Sequence, residues 1–142
     1  MSARTIFATE NDHRRLRSLI ATLQRMSTDE DYRFDELSRL LDSATIVKPR
    51  DIPPDVITMN STIRLDDLAN GEKLYVTLVF PHKADLEAEA ISILSSLGTT
   101  LYGRKCGESL SGDVNGQIRN LRVAEVLYQP EADGKTSMDY TT

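Results

Sequence analysis

Residues 55–81 read DVITMNSTIRLDDLANGEKLYVTLVFP, and the period of this stretch decides the fold. Met59, Ser61, Ile63 and Leu65 alternate with polar partners, and after Asn70-Gly71 a second run, Leu74, Val76, Leu78 and Phe80, alternates with Tyr75, Thr77 and Val79. Successive side chains of a strand point to opposite faces, so a period of two marks strands with one buried face. Asn-Gly or its neighbours supply the positive φ angles of a turn between them, which makes the stretch a β-hairpin. Pro81 has no backbone N–H and ends the second strand.

Downstream, Ala84 to Ala90 is too short and too acidic for a helix and reads as a loop or single turn, and Ile91 to Leu94 as a short strand. Leu97, Leu101 and Tyr102, with Gly103 after them, predict a short helix over Leu97 to Gly103 closed by a glycine. A second hairpin follows, with Ser109 to Val114, the turn Asn115-Gly116 and a longer strand from Gln117 to Tyr128. The polar stretch after Pro130 reads as frayed, with 135–142 a flexible tail.

Upstream the period changes to 3.6. Leu16, Leu19, Ile20 and Leu23 form one apolar stripe and predict a helix over about Glu10 to Met26, with Thr9 and Asp12 resembling a capping box. After the acidic interruption Ser27 to Asp31, the stripe Phe34, Leu37, Leu40, Leu41 and Ala44 predicts a second helix. Neither helix can hide its stripe alone, so they are expected to pair as an antiparallel hairpin, Leu16, Leu19, Ile20 and Leu23 against Phe34, Leu37 and Leu41. Helices of about 14 to 16 residues reach only about 20 to 24 Å. Pro49, Pro53 and Pro54 make Ser43 to Asp55 an extended linker. The expected class is α+β: a short helical hairpin or coiled coil over 1–48, then an antiparallel β-sheet domain with one short helix over 49–134.

Composition limits the function. Hydrophobic residues are 39% and charged residues 27% of the 142, the balance of a folded globular chain. With 17 basic and 22 acidic residues the net charge is −5, and no basic run could neutralise several phosphates, which disfavours direct nucleic-acid binding. One cysteine allows no internal disulfide and no cysteine-based metal site, in keeping with a reducing compartment. No segment has the roughly 20 apolar residues of a membrane span and Met1 to Glu10 is no signal peptide, so the expectation is cytoplasmic. His13 and His82 lack ligands at metal spacing and read as surface residues; no Ser/His/Asp set or glycine-rich phosphate loop is evident. No enzyme activity, catalytic residue, metal or cofactor is expected.

The run Asp55 to Ser61, then Asn70-Gly71-Glu72, then Leu78-Val79-Phe80-Pro81 resembles the C-terminal domain of the bacterial Gre transcription elongation factors, and more closely their Rnk-type branch. The similarity continues through Ile91 to Leu94, Leu97-Gly98, Leu101 to Glu108 and Val126 to Glu131, about Asp55 to Gly134 in all. The resemblance implies an FKBP-like domain that docks on the rim of the RNA polymerase secondary channel, while the hairpin points into the channel and modulates or antagonises Gre-type factors. It implies a docking surface over Ser92 to Lys105, for which Ser95, Ser96, Leu97, Leu101, Arg104 and Lys105 are the candidates. Leu97 and Leu101 read either as an exposed apolar edge or as core. Where Gre factors carry an aspartate and a proline, this chain has Leu94 and Ser96.

The acids at the hairpin tip, Asp29, Glu30 and Asp31, have two readings. In cleavage-stimulating Gre factors such acids help hold a metal and water in the polymerase active site; here the shorter hairpin favours acids that merely sit in the first turn of the second helix. A third reading is an interaction module with a non-polymerase partner. FKBP-type prolyl isomerisation is disfavoured, because the chain has no tryptophan, and Phe7 and Phe34 lie outside the domain. Cys106 reads as a buried or half-buried small hydrophobe. The chain is expected to act as a monomer.

Overall fold

The computed structural model describes residues 6–26 and 34–134. Its centre is a five-stranded sheet of β3 (Thr62–Asp67), β4 (Lys73–Val79), β5 (Ala90–Ser92), β6 (Ser109–Val114) and β7 (Gln117–Tyr128), in the order β5-β4-β3-β7-β6. They follow β1 (Phe7–Thr9), α1 (Glu10–Met26), α2 (Asp35–Ser43) and β2 (Thr45–Val47), and α3 (Ser96–Leu101) lies between β5 and β6. The fold is mixed α+β.

The period-two residues behave as their alternation requires. Ile63 and Leu65 on β3, Leu78 on β4, and Leu121 and Val123 on β7 are fully buried on one face of the sheet, with Leu110 of β6 beside them. β3 and β4 pair antiparallel with Ile63 opposite Val76 and Leu65 opposite Leu74. Between β3 and β7 the register slips twice, near Thr62/Ile63 and Arg64/Leu65. Such bulges increase local twist and curl the long β7 over the core. In the β3–β4 turn Gly71 takes φ +74°, and the side chains of Asp67 and Asn70 accept from the N–H groups of Ala69 and Glu72.

The sheet is not wholly antiparallel, as the sequence led us to expect. β5 runs parallel to β4, with Leu78 beside Ile91, because the chain crosses over through the 81–89 loop before returning to the edge. A second sheet, β1 with β2, is also parallel, and it occupies part of the stretch expected to be an extended linker. Pro49–Asp51 then forms a 3-10 turn.

α1 has the expected bounds, and Thr9 Oγ1 accepts from the Asp12 N–H as its cap. α2 is shorter than expected: Ala44, read as part of its stripe, is extended at ψ 145° and leads into β2. On α1, His13 reaches the Leu41 carbonyl and Arg17 reaches Ser38 and Asp42, so the two helices pack side by side. Leu16, Ile20, Leu37 and Leu41 are buried between them and the sheet domain, in one apolar core that also holds Met59, Ile63, Leu101 and Tyr102. Residues after Pro130, expected to fray, form a 3-10 turn over Pro130–Asp133 that buries Glu131; 135–142 lie outside the described residues.

Candidate functional site

The segment from Ser92 to Lys105 is built by short-range polar bonds. Ser95 caps α3: its Oγ accepts from the Gly98 N–H at 3.0 Å and donates to the Ser92 carbonyl at 2.7 Å. Ser92 Oγ accepts from the Leu94 N–H, and Thr99 Oγ1 donates to the Ile93 carbonyl at 2.7 Å. A Cβ on Gly98 would lie 2.0 Å from the Ser92 carbonyl oxygen, so α3 sits against the turn after β5 at a distance only glycine permits. At the other end Gly103 takes φ +80° against Ile6. The Arg104 carbonyl accepts from Ile57 N and the Gly103 N–H donates to the Ile57 carbonyl, which sews the exit of the segment to the main domain.

This geometry divides the six candidate docking residues. Leu97 and Leu101 are 7% and 0% exposed and lie in the core, so no apolar α3 edge faces solvent there. Ser95, Ser96 and Lys105 are exposed and Arg104 is half-buried. Along the outer face, Thr100 Oγ1 donates to the Ser96 carbonyl at 2.9 Å and Arg104 Nε to the Thr100 carbonyl at 3.0 Å, so Ser96, Thr100 and Arg104 form one polar stripe. Arg104 also approaches Glu108 at 3.7 Å, and the Lys105 backbone N–H donates to Glu108. The resulting surface is polar and mildly basic. Asp29, Glu30 and Asp31 lie outside the described residues.

Two features escaped the sequence. The first is a buried polar cluster joining α1 to the domain. Asp12 Oδ2 accepts from the Met59 N–H at 3.1 Å and from the Tyr102 hydroxyl at 2.9 Å. Thr58 Oγ1 donates to Glu131 at 2.7 Å and bonds Ser61 Oγ. Burial, with the Asp12 charge added, pushes the Glu131 carboxyl up to about 7. Burial and the same aspartate raise Tyr102 well above its ordinary range. The second is an open groove of about 490 Å³ between β4, β5, α3 and the β6 end, with Ser95 and Ser96 among its lining residues. The 84–89 loop that lines one side of it reads in sequence as a solvated acidic turn, so no signal pointed to the groove. Cys106, expected to be at least half-buried, is exposed, with Sγ donating to the Ala124 carbonyl. His82 is exposed as expected, whereas His13 is half-buried against α2.

The sheet and α3 coincide with a known domain: residues 52–128 match the family described as transcription elongation factor GreA/GreB, C-terminal. The chain belongs to the GreA/GreB family. It is 37% identical over 101 residues to the regulator of nucleoside diphosphate kinase of Escherichia coli (strain K12), covering 70% of this chain and 74% of that protein. It is 31% identical over 94 residues to transcription elongation factor GreA of Syntrophobacter fumaroxidans, covering 66% of this chain and 60% of that protein. Among solved structures, the GreA/GreB elongation factor from Nitrosomonas europaea superposes with a TM-score of 0.73 at 33% identity, over 89% of this chain and 100% of that one. These relatives are regulatory factors, and the chain is a transcription-related factor of their family.

Proposed function

We propose that this protein binds RNA polymerase at the rim of the secondary channel and modulates or antagonises Gre-type elongation factors there, without catalysis of its own. The observation that carries this reading is that the family match spans the five-stranded sheet and the whole 92–105 segment, whose outer residues are exposed on a rigid, glycine-fitted base. In this reading residues 49–134 are the FKBP-like docking domain, touching polymerase through Ser95, Ser96, Arg104 and Lys105. Leu97 and Leu101 support that surface from inside. Residues 1–48 are the arm that enters the channel, the protein is a cytoplasmic monomer, and it needs no cofactor.

The arm favours antagonism. The 17 residues of α1 span about 25 Å at 1.5 Å per residue, well short of the Gre hairpin that the resemblance implies. A metal shell with bonds near 2.1 Å tolerates no gap of several ångströms, so a shorter arm occupies the channel without completing the active site. The test is binding of the purified chain to core RNA polymerase at micromolar concentration. Binding that a Gre factor competes away supports the reading; no binding overturns it.

A further inference from the structure

Two asparagines of the chain, Asn70 and Asn115, precede a glycine. Both pairs sit in exposed hairpin turns with the glycine at positive φ, Gly71 at +74° and Gly116 at +88°, where no Cβ shields the peptide nitrogen. Such a nitrogen is the natural nucleophile toward the carboxamide of the asparagine before it. The two turns hold these reacting groups differently. In the β3–β4 turn Asn70 Oδ1 accepts from the Glu72 N–H at 2.8 Å, and the Gly71 N–H donates at 2.8 Å to the Asp67 carbonyl, a neutral acceptor. In the β6–β7 turn the Asn115 side chain has no hydrogen-bond partner among the described residues. There the Gly116 N–H donates at 2.8 Å to Asp113 Oδ1, a carboxylate oxygen. Val114 pairs directly with Gln117, so Asn115 and Gly116 are the whole turn, with Asn115 itself at φ +54°.

We propose that Asn115 is a self-modification site, converted to aspartate or isoaspartate with Asp113 as the base. Asp113 Oδ1 takes the proton of the Gly116 N–H, and the electron pair so freed forms a bond from Gly116 N to Asn115 Cγ. The proton passes to the side-chain nitrogen, the Cγ–Nδ2 bond breaks and ammonia leaves, which closes a five-membered succinimide. Water then adds to one of the two ring carbonyls. Opening at Cγ gives aspartate, and opening at the main-chain carbonyl gives isoaspartate. The sum is asparagine and water giving a carboxyl group and ammonia, with nothing oxidised or reduced. A hydrogen bond to a charged acceptor is stronger than one to a neutral carbonyl and draws the proton toward the carboxylate. Adjacent residues also meet without a binding step. Asn70 has neither a free carboxamide nor a charged acceptor for its glycine. Each product places a second carboxylate beside Asp113 in a chain whose net charge is already −5. Isoaspartate adds a methylene to the main chain, which a two-residue turn holding Val114 opposite Gln117 cannot absorb, so the end of the β6–β7 ladder loosens. The turn is a slow, irreversible record of the age of the molecule.

The full chain is incubated at neutral pH for several weeks as wild type and as D113N, and peptide mapping by mass spectrometry follows the acid formed at positions 70 and 115 separately. Asparagine at 113 keeps an oxygen that accepts the Gly116 N–H but cannot take its proton, so the turn is retained, which an unchanged thermal midpoint checks. A parallel incubation in urea removes the fold. The expected result for the folded wild type is acid at 115 forming at least fivefold faster than at 70. In D113N the rate at 115 falls at least threefold, and in urea the two positions convert at similar rates. Conversion at 115 no faster than at 70 in the folded chain overturns the site. Equal rates at 115 in wild type and D113N overturn the role of Asp113, and a lead of 115 over 70 that persists in urea overturns the role of the turn.

Discussion

At the scale of single residues, the least replaceable side chain is Asp12. It lies on α1, yet its Oδ2 serves as acceptor for the Met59 N–H and the Tyr102 hydroxyl, two groups of the main domain. Leaving buried donors without their acceptor costs about 1–3 kcal/mol each. Asp12→Ala is therefore expected to destabilise the protein by about 2–4 kcal/mol in urea unfolding, and Tyr102→Phe by about 1 kcal/mol. Glu131 gives this cluster a pH dependence. Its carboxyl titrates near 7 in the fold against about 4.5 when unfolded, so between these values the folded state holds the extra proton. Stability from this group is present below pH 4.5 and is lost as pH rises through 7. Glu131→Gln keeps the neutral shape, so its stability relative to wild type is expected to grow between pH 5 and 7.5; unfolding curves at several pH values measure this. None of this was legible beforehand. Thr9-x-x-Asp12 reads as a helix cap, and only the folded chain brings residue 12 against 59 and 102.

At the scale of elements, what could be read from the sequence was what is local. The period-two runs located β3, β4, β6 and β7, and the 3.6 period located α1, because each pattern is repeated over enough residues to fix which face is buried. The three-residue strands β1 and β2 have no such repeat, and β5, read as a short strand over Ile91 to Leu94, carries none that fixes its direction. Their parallel pairing with partners across long connections depends on tertiary packing, and so Ile46 and Val47 read as linker. α3 was placed to within a residue or two, but its burial was left open: with six residues it is under two turns, and its apolar pair suits either a solvent edge or the core. Gly98 and Gly112 decide for the core. Alanine at 98 would drive its Cβ into the Ser92 backbone at 2.0 Å, and alanine at 112 meets the movable tip of Leu97 at 2.6 Å. Overpacking against fixed backbone sits at the upper end of the usual range of about 1–3 kcal/mol. Gly98→Ala is expected to cost about 3 kcal/mol and weaken polymerase binding together with stability, whereas Gly112→Ala costs about 1 kcal/mol and leaves binding near wild type; paired melting and binding measurements compare them.

At the scale of the whole molecule, α1 and α2 share one core with the sheet instead of standing apart on a linker, because Leu16, Leu37 and Leu41 pack into the same cluster as Met59 and Leu101. Family membership was legible in residues 55–131, since the match is long and ordered, and the 92–105 segment proposed for docking was legible with it. The groove was not, because it is assembled from β4, β5, α3 and β6 and from an acidic loop that looks merely solvated in one dimension. The function proposed above turns on occupation of the channel without chemistry. The direct measurement is transcript cleavage by backtracked RNA polymerase, with this protein alone and in competition with a Gre factor. The account predicts no cleavage above the polymerase background from the protein alone, and suppression of Gre-stimulated cleavage that rises with its concentration. Cleavage by the protein alone that disappears when Asp29, Glu30 and Asp31 are replaced by alanine would contradict it.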